Sequence, residues 1–371
     1  MVPSEQVFRF ERIQKDAGCS ARTGRLITAH GTVDTPAFMP VGTQGALKGL
    51  LPSQAEALGV EMILANTYHL YLRPGRETIR TAGGLHRFMN WRKPILTDSG
   101  GFQVYSLSKL RKVTPAGVTF RSHIDGSSHL LTPETVLEIQ EALGSDIRMP
   151  LDDCTPYPSS RKDTEASLQT TLDWAVRSRK YGKTGEGALF GIVQGGVYPD
   201  LRRRAAEETI AVGFDGYAIG GVSVGEPRDL MYAVAGETAP LLPEDRPRYL
   251  MGVGTPEDIV RCVGYGIDMF DCVLPTRCAR HGLLFTNEKK VVIKHARYRD
   301  DQEPPDRDCD CHTCRNFSRA YLRHLYVAGE ILALVLNTIH NVRFYARLME
   351  QVRRAIAEGR YVDFSNDFLK K

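Results

Sequence analysis

Residues 249–271 read YLMGVGTPEDIVRCVGYGIDMFD, and they combine two strand patterns with a helix start. The apolar runs Tyr249–Gly252 and Met269–Asp271 predict short strands. Between them, Thr-Pro-Glu-Asp from Thr255 is typical of a helix start, with Thr as the N-cap, Pro at the first helical position and acids in the first turn. Strand, helix and strand in this order predict one repeat of a parallel sheet.

The same alternation recurs upstream, where four more apolar runs end at or beside Gly or Asp. Amphipathic helices separate most of these runs. One begins at Thr132 and places Val136, Ile139 and Leu143 on one face, and another carries the stripe Leu168, Leu172, Ala175 and Val176. Repeated strand–helix units over about 250 residues favour an α/β fold of the (β/α)8 TIM-barrel type, with an open doubly wound sheet as the alternative. The four upstream runs are Ile95–Asp98, Ile147–Asp152, Leu189–Gln194 and Tyr217–Gly221.

The chain of 371 residues has the composition of an ordinary globular protein, and its core needs no disulfides. The first residues, Met1–Arg12, lack the apolar segment of a secretory signal. The apolar run Ile331–Leu336 is far shorter than the roughly 20 residues of a membrane span. We therefore expect a cytoplasmic protein with no membrane association, in which the eight cysteines serve as metal ligands, catalytic groups or buried thiols.

The positive charge is concentrated near the C-terminus. Lys289–Lys371 carries 16 Lys and Arg against 11 Asp and Glu, a net charge of +5, whereas the other residues carry 32 against 33, a net charge of −1. A basic C-terminal region suits a polyanionic partner, and a solvated helical face is the other interpretation of the same charge.

The strand–helix pattern stops after Lys290. Residues 300–315 are rich in charge, Pro and Cys, and a long amphipathic helix is predicted over roughly Gly329–Gly359. We interpret residues 1–371 as a single catalytic barrel domain, with a small zinc-binding subdomain at about 295–345 packed on it.

Cys309, Cys311 and Cys314 form a C-x-C-x2-C motif in this segment. Three thiolates within six residues can converge on one tetrahedral ion, and soft ligands in a reducing compartment point to zinc. A closed, structural site needs a fourth ligand, for which His312, His324 and His340 are available. His312 lies between two of the cysteines and would be strained, but the spacing does not choose between the other two.

Two aspartates at predicted strand ends are candidates for catalysis. Asp98 precedes Ser-Gly-Gly, a sequence that lets backbone N–H groups approach a flat or anionic ligand; capping of the next turn is the alternative role. Asp271 ends an apolar strand, where a carboxylate is costly unless it is paired or functional. Arg277 and Arg280 follow it and could bind phosphate, read a base or simply form an ion pair with Asp271.

Three further strand ends carry groups that suit the hydrogen-bonding edge of guanine. Asp152 and Asp153 are adjacent, so their side chains point to opposite faces and at most one enters the barrel mouth. Gln194 and Gly221 end the next two strands. A carboxylate can accept from the ring N–H and the exocyclic amine of guanine, while amide donors face its carbonyl oxygen.

Seven segments together resemble the tRNA-guanine transglycosylase family, and they occur in the family order between about residues 8 and 368. The seventh is the C-x-C-x2-C motif. The other six are DSGGFQ from Asp98, FRSHIDG from Phe120, DCTPYP from Asp153, GGVSVGE from Gly220, MGVG from Met251 and FDCVLPTR from Phe270.

The resemblance implies a (β/α)8 barrel with one structural Zn²⁺ per subunit, usually in a homodimer. It implies exchange of guanine at the wobble position of tRNAs with a G-U-N anticodon (those for Asp, Asn, His and Tyr) through a covalent ribosyl-enzyme intermediate. Cys154 and Val224 resemble the bacterial enzymes, which insert 7-aminomethyl-7-deazaguanine during queuosine biosynthesis. The implied partners are therefore a tRNA anticodon loop and a 7-deazaguanine base.

Position by position, the resemblance implies that Asp271 is the nucleophile and Asp98 the general acid/base. It also implies that His340 completes the zinc ligands Cys309, Cys311 and Cys314. The implied base-binding residues are Asp98, Ser99, Gly100, Gly101, Phe102, Asp152, Cys154, Gln194, Gly221, Val222 and Met251. The implied RNA-contacting residues are Gly252, Val253, Gly254, Thr255, Pro256, Glu257, Asp258, Thr276, Arg277, Cys278, Ala279 and Arg280.

Some positions depart from the family pattern and affect the expected specificity rather than the reaction class. Asp153 stands where a Glu is usual, Phe102 stands where many relatives have Tyr, and Pro150, Leu151, Val193 and Cys278 are atypical. Two other functions would share parts of this pattern. A non-catalytic tRNA-binding subunit would lack the nucleophile, and a small-molecule barrel enzyme with catalytic zinc would not have its cysteines far from the strand-end acids.

Overall fold

The computed structural model describes residues 8–107, 110–182 and 187–370. Its strands form one eight-stranded parallel sheet and three small antiparallel sheets. In chain order the strands are β1 (Arg9–Lys15), β2 (Arg22–Thr28), β3 (Gly31–Thr35), β4 (Ala37–Pro40), β5 (Ile63–Ala65), β6 (Ile95–Thr97), β7 (Arg111–Thr114), β8 (Gly117–Arg121), β9 (Ser128–Leu131), β10 (Ile147–Arg148), β11 (Ala188–Val193), β12 (Gly216–Ile219), β13 (Arg248–Leu250), β14 (Met269–Cys272), β15 (Leu283–Leu284) and β16 (Val291–Val292).

The large sheet has the order β4-β14-β13-β12-β11-β10-β6-β5, and all its pairings are parallel. A parallel bridge between Val41, just after β4, and Leu64 of β5 joins its two edges. The predicted (β/α)8 barrel is therefore confirmed, and the open doubly wound sheet is excluded.

Helices surround this barrel, because each crossover between parallel strands needs a connection long enough to return to the start of the sheet. The predicted N-caps are present: the Thr132 and Thr255 side chains accept hydrogen bonds from the backbone N–H groups of Thr135 and Asp258. The α-helices are α1 (Pro52–Ala57), α2 (Thr67–Leu72), α3 (Arg76–Thr81), α4 (Gly84–Met89), α5 (Gly101–Leu107), α6 (Pro133–Leu143), α7 (Arg161–Gly182), α8 (Pro199–Val212), α9 (Arg228–Thr238), α10 (Pro256–Val263), α11 (Leu274–Arg280), α12 (His312–Asn316), α13 (Arg319–Ala328), α14 (Ile331–Ala357) and α15 (Tyr361–Leu369).

The structure differs from the sequence-based predictions in two places. The stripe on α7 does not include Val176, which is 55% exposed, whereas Leu168, Leu172 and Ala175 are buried. The run predicted as a strand over Ile147–Asp152 pairs only at Ile147–Arg148, and the following residues continue without ladder hydrogen bonds. The predicted long C-terminal helix is present as Ile331–Ala357.

Alternation along the barrel strands decides which side chains enter the barrel. Leu96, Ile192, Tyr249 and Met269 belong to the cluster inside the barrel, which Leu26 and Val33 of the first small sheet cover from one end. Their sequence neighbours pack outward against the helices, as Phe270 does. Because side chains alternate with period two, residues two positions beyond the interior ones continue toward the carboxyl-terminal mouth of the barrel.

Candidate active site and metal centre

The alternation brings three of the predicted functional residues to one end of the barrel. Asp98 lies two residues beyond Leu96, Gln194 two beyond Ile192 and Asp271 two beyond Met269, and all three are at most 9% exposed. In a (β/α)8 barrel this carboxyl-terminal face is where active sites occur. The carboxylates that the sequence singled out therefore share one cavity mouth.

Asp98 is held by donors from the loop that follows β5. Asn66 Nδ2 donates to its Oδ2 (2.5 Å), the Thr67 backbone N–H donates to its Oδ1 (2.9 Å), and the Thr67 hydroxyl donates to its backbone carbonyl (2.6 Å). Burial raises the pKa of Asp98 to about 6 despite these bonds, and the nearby charge of Asp271 also raises it. Near neutral pH this carboxyl group can take up and release a proton, as a general acid/base must.

Asp271 has a different environment, in which one oxygen receives both hydrogen bonds. The Tyr249 hydroxyl (2.5 Å) and the Gly252 backbone N–H (2.8 Å) both donate to Oδ1. Burial raises the pKa of Asp271, whereas these two bonds lower it. Among the described residues, Oδ2 receives no hydrogen bond, so this oxygen is the one available to a reaction partner.

Asp152 is joined to two other predicted base-binding residues. Ser99 Oγ donates to its Oδ1 (2.9 Å) and Gln194 Nε2 donates to its Oδ2 (2.7 Å). Burial raises the pKa of Asp152 to about 6. Of the two adjacent acids it is Asp152 whose side chain joins this network; alternation had predicted only that at most one of them would enter the mouth.

Two glycines keep the backbone close to this network. A Cβ on Gly101 would lie 2.7 Å from the Asp152 carbonyl oxygen, and one on Gly221 would lie 2.3 Å from Gln194 Oε1. Gly221 also has φ +64°, in the left-handed region that side chains rarely adopt. A side chain at Gly101 would collide with the backbone of Asp152, and one at Gly221 would displace the Gln194 amide and adopt a strained φ, so both positions favour glycine.

The remaining predicted base-binding residues line the same region with varied exposure. Val222 and Cys154 are buried, and burial raises the pKa of the Cys154 thiol to about 12, so it stays neutral. Phe102 is 45% exposed with its ring tilted against Tyr105, at 6.1 Å between centroids. Glu226 accepts from the backbone N–H groups of Ser223 and Val224, which fixes the loop after Gly221.

The residues proposed from the sequence to contact RNA fall into two groups. Gly252, whose N–H bonds to Asp271, and Arg277 are exposed, and Thr255, Glu257, Cys278 and Arg280 are half-buried. The second group is buried, so its side chains are not presented to RNA at this surface. It comprises Val253, Gly254, Pro256, Asp258, Thr276 and Ala279.

Three groups around the acids were not predicted from the sequence. Asn66 and Thr67 bond to Asp98, and Tyr249 bonds to Asp271. The position of Tyr249 could have indicated this contact. Tyr249 lies two residues before Met251, so alternation places both side chains on the interior face of β13, next to β14. Asn66 and Thr67 follow β5, a strand that the sequence analysis did not identify.

The cysteine motif and His340 form a second, separate site outside the barrel. His340 Nδ1 lies 3.2 Å from Cys314 Sγ and 3.8 Å from Cys311 Sγ, and Cys309 completes the group. Ligands around a tetrahedral zinc with bonds of 2.0 to 2.3 Å are separated by roughly 3.6 Å, so the cluster fits such an ion. Of the two histidines between which spacing did not choose, His324 and His340, the structure places His340 with the cysteines.

Neighbouring side chains orient these four residues. His340 Nε2 donates to the Phe285 carbonyl oxygen (2.6 Å), which leaves Nδ1 free to bind a metal. Asp310, between two of the cysteines, forms two hydrogen bonds with Arg343 of α14, at 2.7 and 2.9 Å. The motif is thereby fixed to the helix that carries its fourth member.

No helix in the described part of the chain is both long enough and apolar enough to cross a bilayer.

Comparison with known proteins identifies close relatives over almost the whole chain. A protein-family model described as queuine tRNA-ribosyltransferase matches residues 16–371. Proteins named queuine tRNA-ribosyltransferase are similar to it: the one from Solidesulfovibrio magneticus is 60% identical over 347 residues, covering 93% of each chain. The one from Caldanaerobacter subterraneus subsp. tengcongensis is 57% identical, and the match covers 98% of this chain and 97% of the relative. The one from Pelotomaculum thermopropionicum is also 57% identical, and the match covers 96% of each chain.

Proposed function

The chain belongs to the queuine tRNA-ribosyltransferase family, and from this premise we propose that it is a tRNA-guanine transglycosylase. It replaces guanine at the wobble position of G-U-N anticodons, in the tRNAs for Asp, Asn, His and Tyr, by 7-aminomethyl-7-deazaguanine. This places it in queuosine biosynthesis. The observation that carries the proposal is the pair of buried aspartates at the barrel mouth, one with a free carboxylate oxygen and one with a pKa near neutrality.

The first half of the reaction is displacement of guanine by Asp271. Oδ2 attacks C1′ of the ribose, the bond between C1′ and the base nitrogen breaks, and its electrons leave with guanine. Tyr249 and Gly252 hold Oδ1, which orients the carboxylate and spreads its charge. The departing base takes the proton that Asp98 carries, leaving a ribosyl ester on Asp271 and an ionised Asp98.

The second half reverses these steps with a different base. Asp98 accepts the N–H proton of the incoming base, whose nitrogen attacks C1′ and releases Asp271 as a carboxylate. Two displacements at C1′ retain its configuration. General acid/base assistance of this kind supplies roughly 10²–10⁴ in rate. The target nucleotide must first be extruded into the mouth, at a cost of a few kcal/mol.

We assign base recognition to Asp152, Gln194 and Gly221, with Phe102 stacking on the base. The ionised Asp152 would accept from the two donors on one edge of guanine, taking over from the Ser99 and Gln194 donors it now has. Exposed Arg277, with half-buried Arg280 beside it, would bind the anticodon-loop backbone. Cys154 and Val224 are the positions to which we assign the preference for the aminomethyl base.

The metal that we propose for Cys309, Cys311, Cys314 and His340 is one structural Zn²⁺ per subunit. Three sulfurs and one imidazole close a tetrahedral site and leave no position for substrate. The cysteines pack with Ala55, Leu58 and Ile339 in the outer helical layer, which favours a structural over a catalytic metal. We further propose a cytoplasmic homodimer, in which residues 1–371 form one barrel domain and residues 295–345 its zinc-binding subdomain.

The test is incorporation of labelled guanine into unmodified G-U-N tRNA, with Asp271→Asn compared with wild type. We expect wild type to incorporate label and a chase with 7-aminomethyl-7-deazaguanine to displace it irreversibly. Loss of the nucleophile should reduce exchange at least 10⁴-fold. Binding of tRNA, followed by gel shift, should persist in the variant. Wild-type protein that binds tRNA without exchange would contradict the proposal.

The metal assignment is tested by elemental analysis and by the variant His340→Ala. We expect about one zinc per chain in the purified protein, loss of the zinc in the variant and a lower melting temperature. Cys262→Ser, a buried cysteine on α10, is the matched control and should keep the metal. A fully metal-loaded His340→Ala protein would contradict the assignment.

A further inference from the structure

Arg202, in the first turn of α8, is a buried cation that reaches the barrel from the helical layer. It is 2% exposed, and its guanidinium donates only to backbone carbonyl oxygens among the described residues. Nε donates to Gly196 (2.7 Å) and Nη1 to Val193 and Gly220 (2.9 and 2.8 Å). The longest contact, 3.3 Å, joins Nη2 to the Gly221 carbonyl oxygen.

Burying a guanidinium without a carboxylate partner is costly, and burial lowers the pKa of Arg202 to about 10. The side chain therefore stays charged at neutral pH. It ties the end of β11, on both sides of Gln194, to the end of β12. These are the two strand ends to which base recognition has been assigned.

The guanidinium also fixes the direction of two peptide groups. In a planar trans peptide the C=O and the next N–H point in opposite directions. Because the carbonyls of Gly220 and Gly221 both accept from Arg202, the N–H groups of Gly221 and Val222 point away from its guanidinium. Within the described residues, neither N–H donates to another protein group.

We infer that Arg202 is a positioning residue that presents these two N–H groups as a donor pair for the carbonyl oxygen of the bound purine. Two successive N–H groups around a left-handed glycine form a concavity that suits an oxygen with partial negative charge. The buried cation also polarises both peptides, which strengthens their N–H groups as donors. This inference rests on the proposed function and names the device that recognises one edge of its base.

The experiment compares guanine with 2-aminopurine, which lacks the carbonyl oxygen and the adjacent ring N–H. Fluorescence of 2-aminopurine gives its own affinity, and displacement gives that of guanine. Arg202→Met removes the guanidinium, and Arg202→Lys keeps a charge that cannot span four carbonyls. Loss of the oriented donors should reduce the preference for guanine about 10-fold, since one hydrogen bond contributes roughly this factor. Affinity for 2-aminopurine should change much less.

Arg148→Met is the matched control, because Arg148 is a buried arginine (1% exposed) that donates to Glu141 and to the Gly187 carbonyl, away from the mouth. It should lower the melting temperature without changing base preference. An unchanged preference in whichever Arg202 variant folds would overturn the inference alone. Equal loss for both bases would do the same, because it would make Arg202 merely structural. Wild-type protein that does not prefer guanine would instead overturn the proposed function itself.

Discussion

The two ends of strand β10 carry aspartates with opposite properties. Asp146, immediately before the strand, is 5% exposed and accepts from His30 Nδ1 (2.8 Å) and from the Ile95 backbone N–H (2.9 Å), with His86 Nε2 at 3.3 Å. Burial alone would raise its pKa, but the hydrogen bonds from His86, Ile95 and His30 outweigh burial and lower it. Asp152, beyond the strand, is 8% exposed and has a pKa raised to about 6.

The difference shows that burial does not by itself determine what a carboxylate does. Asp146 has two imidazoles and a backbone N–H as partners, so its charge is satisfied within the protein. Asp152 has only a hydroxyl and an amide, both of which a ligand can replace. A buried carboxylate with few hydrogen-bond donors lowers the stability of the folded protein, but its oxygens remain able to accept hydrogen bonds from a substrate.

The sharpest test of this contrast compares catalysis after neutralising one acid at each end. Asp98→Asn, at the mouth, should reduce guanine exchange by roughly 10²–10⁴, because it removes the group to which we assign proton transfer. Asp146→Asn should leave exchange within about 3-fold of wild type at 25 °C, since its partners lie at the opposite end of the barrel. Steady-state kinetics with saturating tRNA measure both. Similar losses in the two variants would break the functional distinction between the ends.

A second test follows guanine affinity with pH to detect the protonation of Asp152, the buried acid with the fewer hydrogen-bond donors. Asp152 must be ionised to accept both donors of guanine, so wild-type affinity should fall about 10-fold from pH 7 to pH 5 as this carboxylate gains a proton with a pKa of about 6. Asp152→Asn should bind guanine more weakly at pH 7 and lose most of this dependence. Competition against 2-aminopurine fluorescence provides the measurement. A dependence that persists unchanged in Asp152→Asn would assign the proton to another group.

Sequence patterns predicted the barrel because most of its strands are apolar runs that end in distinctive residues. They missed β4, which contains a proline, and β5, which is followed by Asn66 rather than by the Gly or Asp that marks the other runs. Short strands whose stability comes from neighbours on both sides leave little local signal. The error at Val176 has a similar origin: helical spacing identifies the buried face of α7, but the packing of neighbouring helices sets where that face ends.

The candidate site was predictable where a residue type is costly in its local setting, as Asp98 and Asp271 are in apolar strands. It was not predictable where the function of a residue depends on a partner distant in sequence. Spacing did not choose between His324 and His340 as the fourth metal ligand, because His340 reaches the cysteines only through the packing of α14 on α12. In the sequence Arg202 is one of three consecutive arginines, and only the folded chain places it against the ends of β11 and β12.

The smallest expected effect concerns stability, and it has opposite signs at the two ends of β10. The folded-state pKa of Asp152, about 6, exceeds its ordinary value of 3.8, so keeping it ionised in the folded protein costs stability above pH 6, by about 3 kcal/mol. This cost disappears below pH 4. Asp146 has a lowered pKa, so its contribution to stability is present above about pH 4 and is lost as pH falls further.

Asp152→Asn should therefore raise the melting temperature at pH 8 by a few degrees, and Asp146→Asn should lower it. Calorimetry at pH 8 and pH 4 measures both, and both differences should shrink at pH 4. Destabilisation by Asp152→Asn at pH 8 would mean that its hydrogen bonds to Ser99 and Gln194 outweigh the burial of its charge, which would make the mouth acid as structural as Asp146.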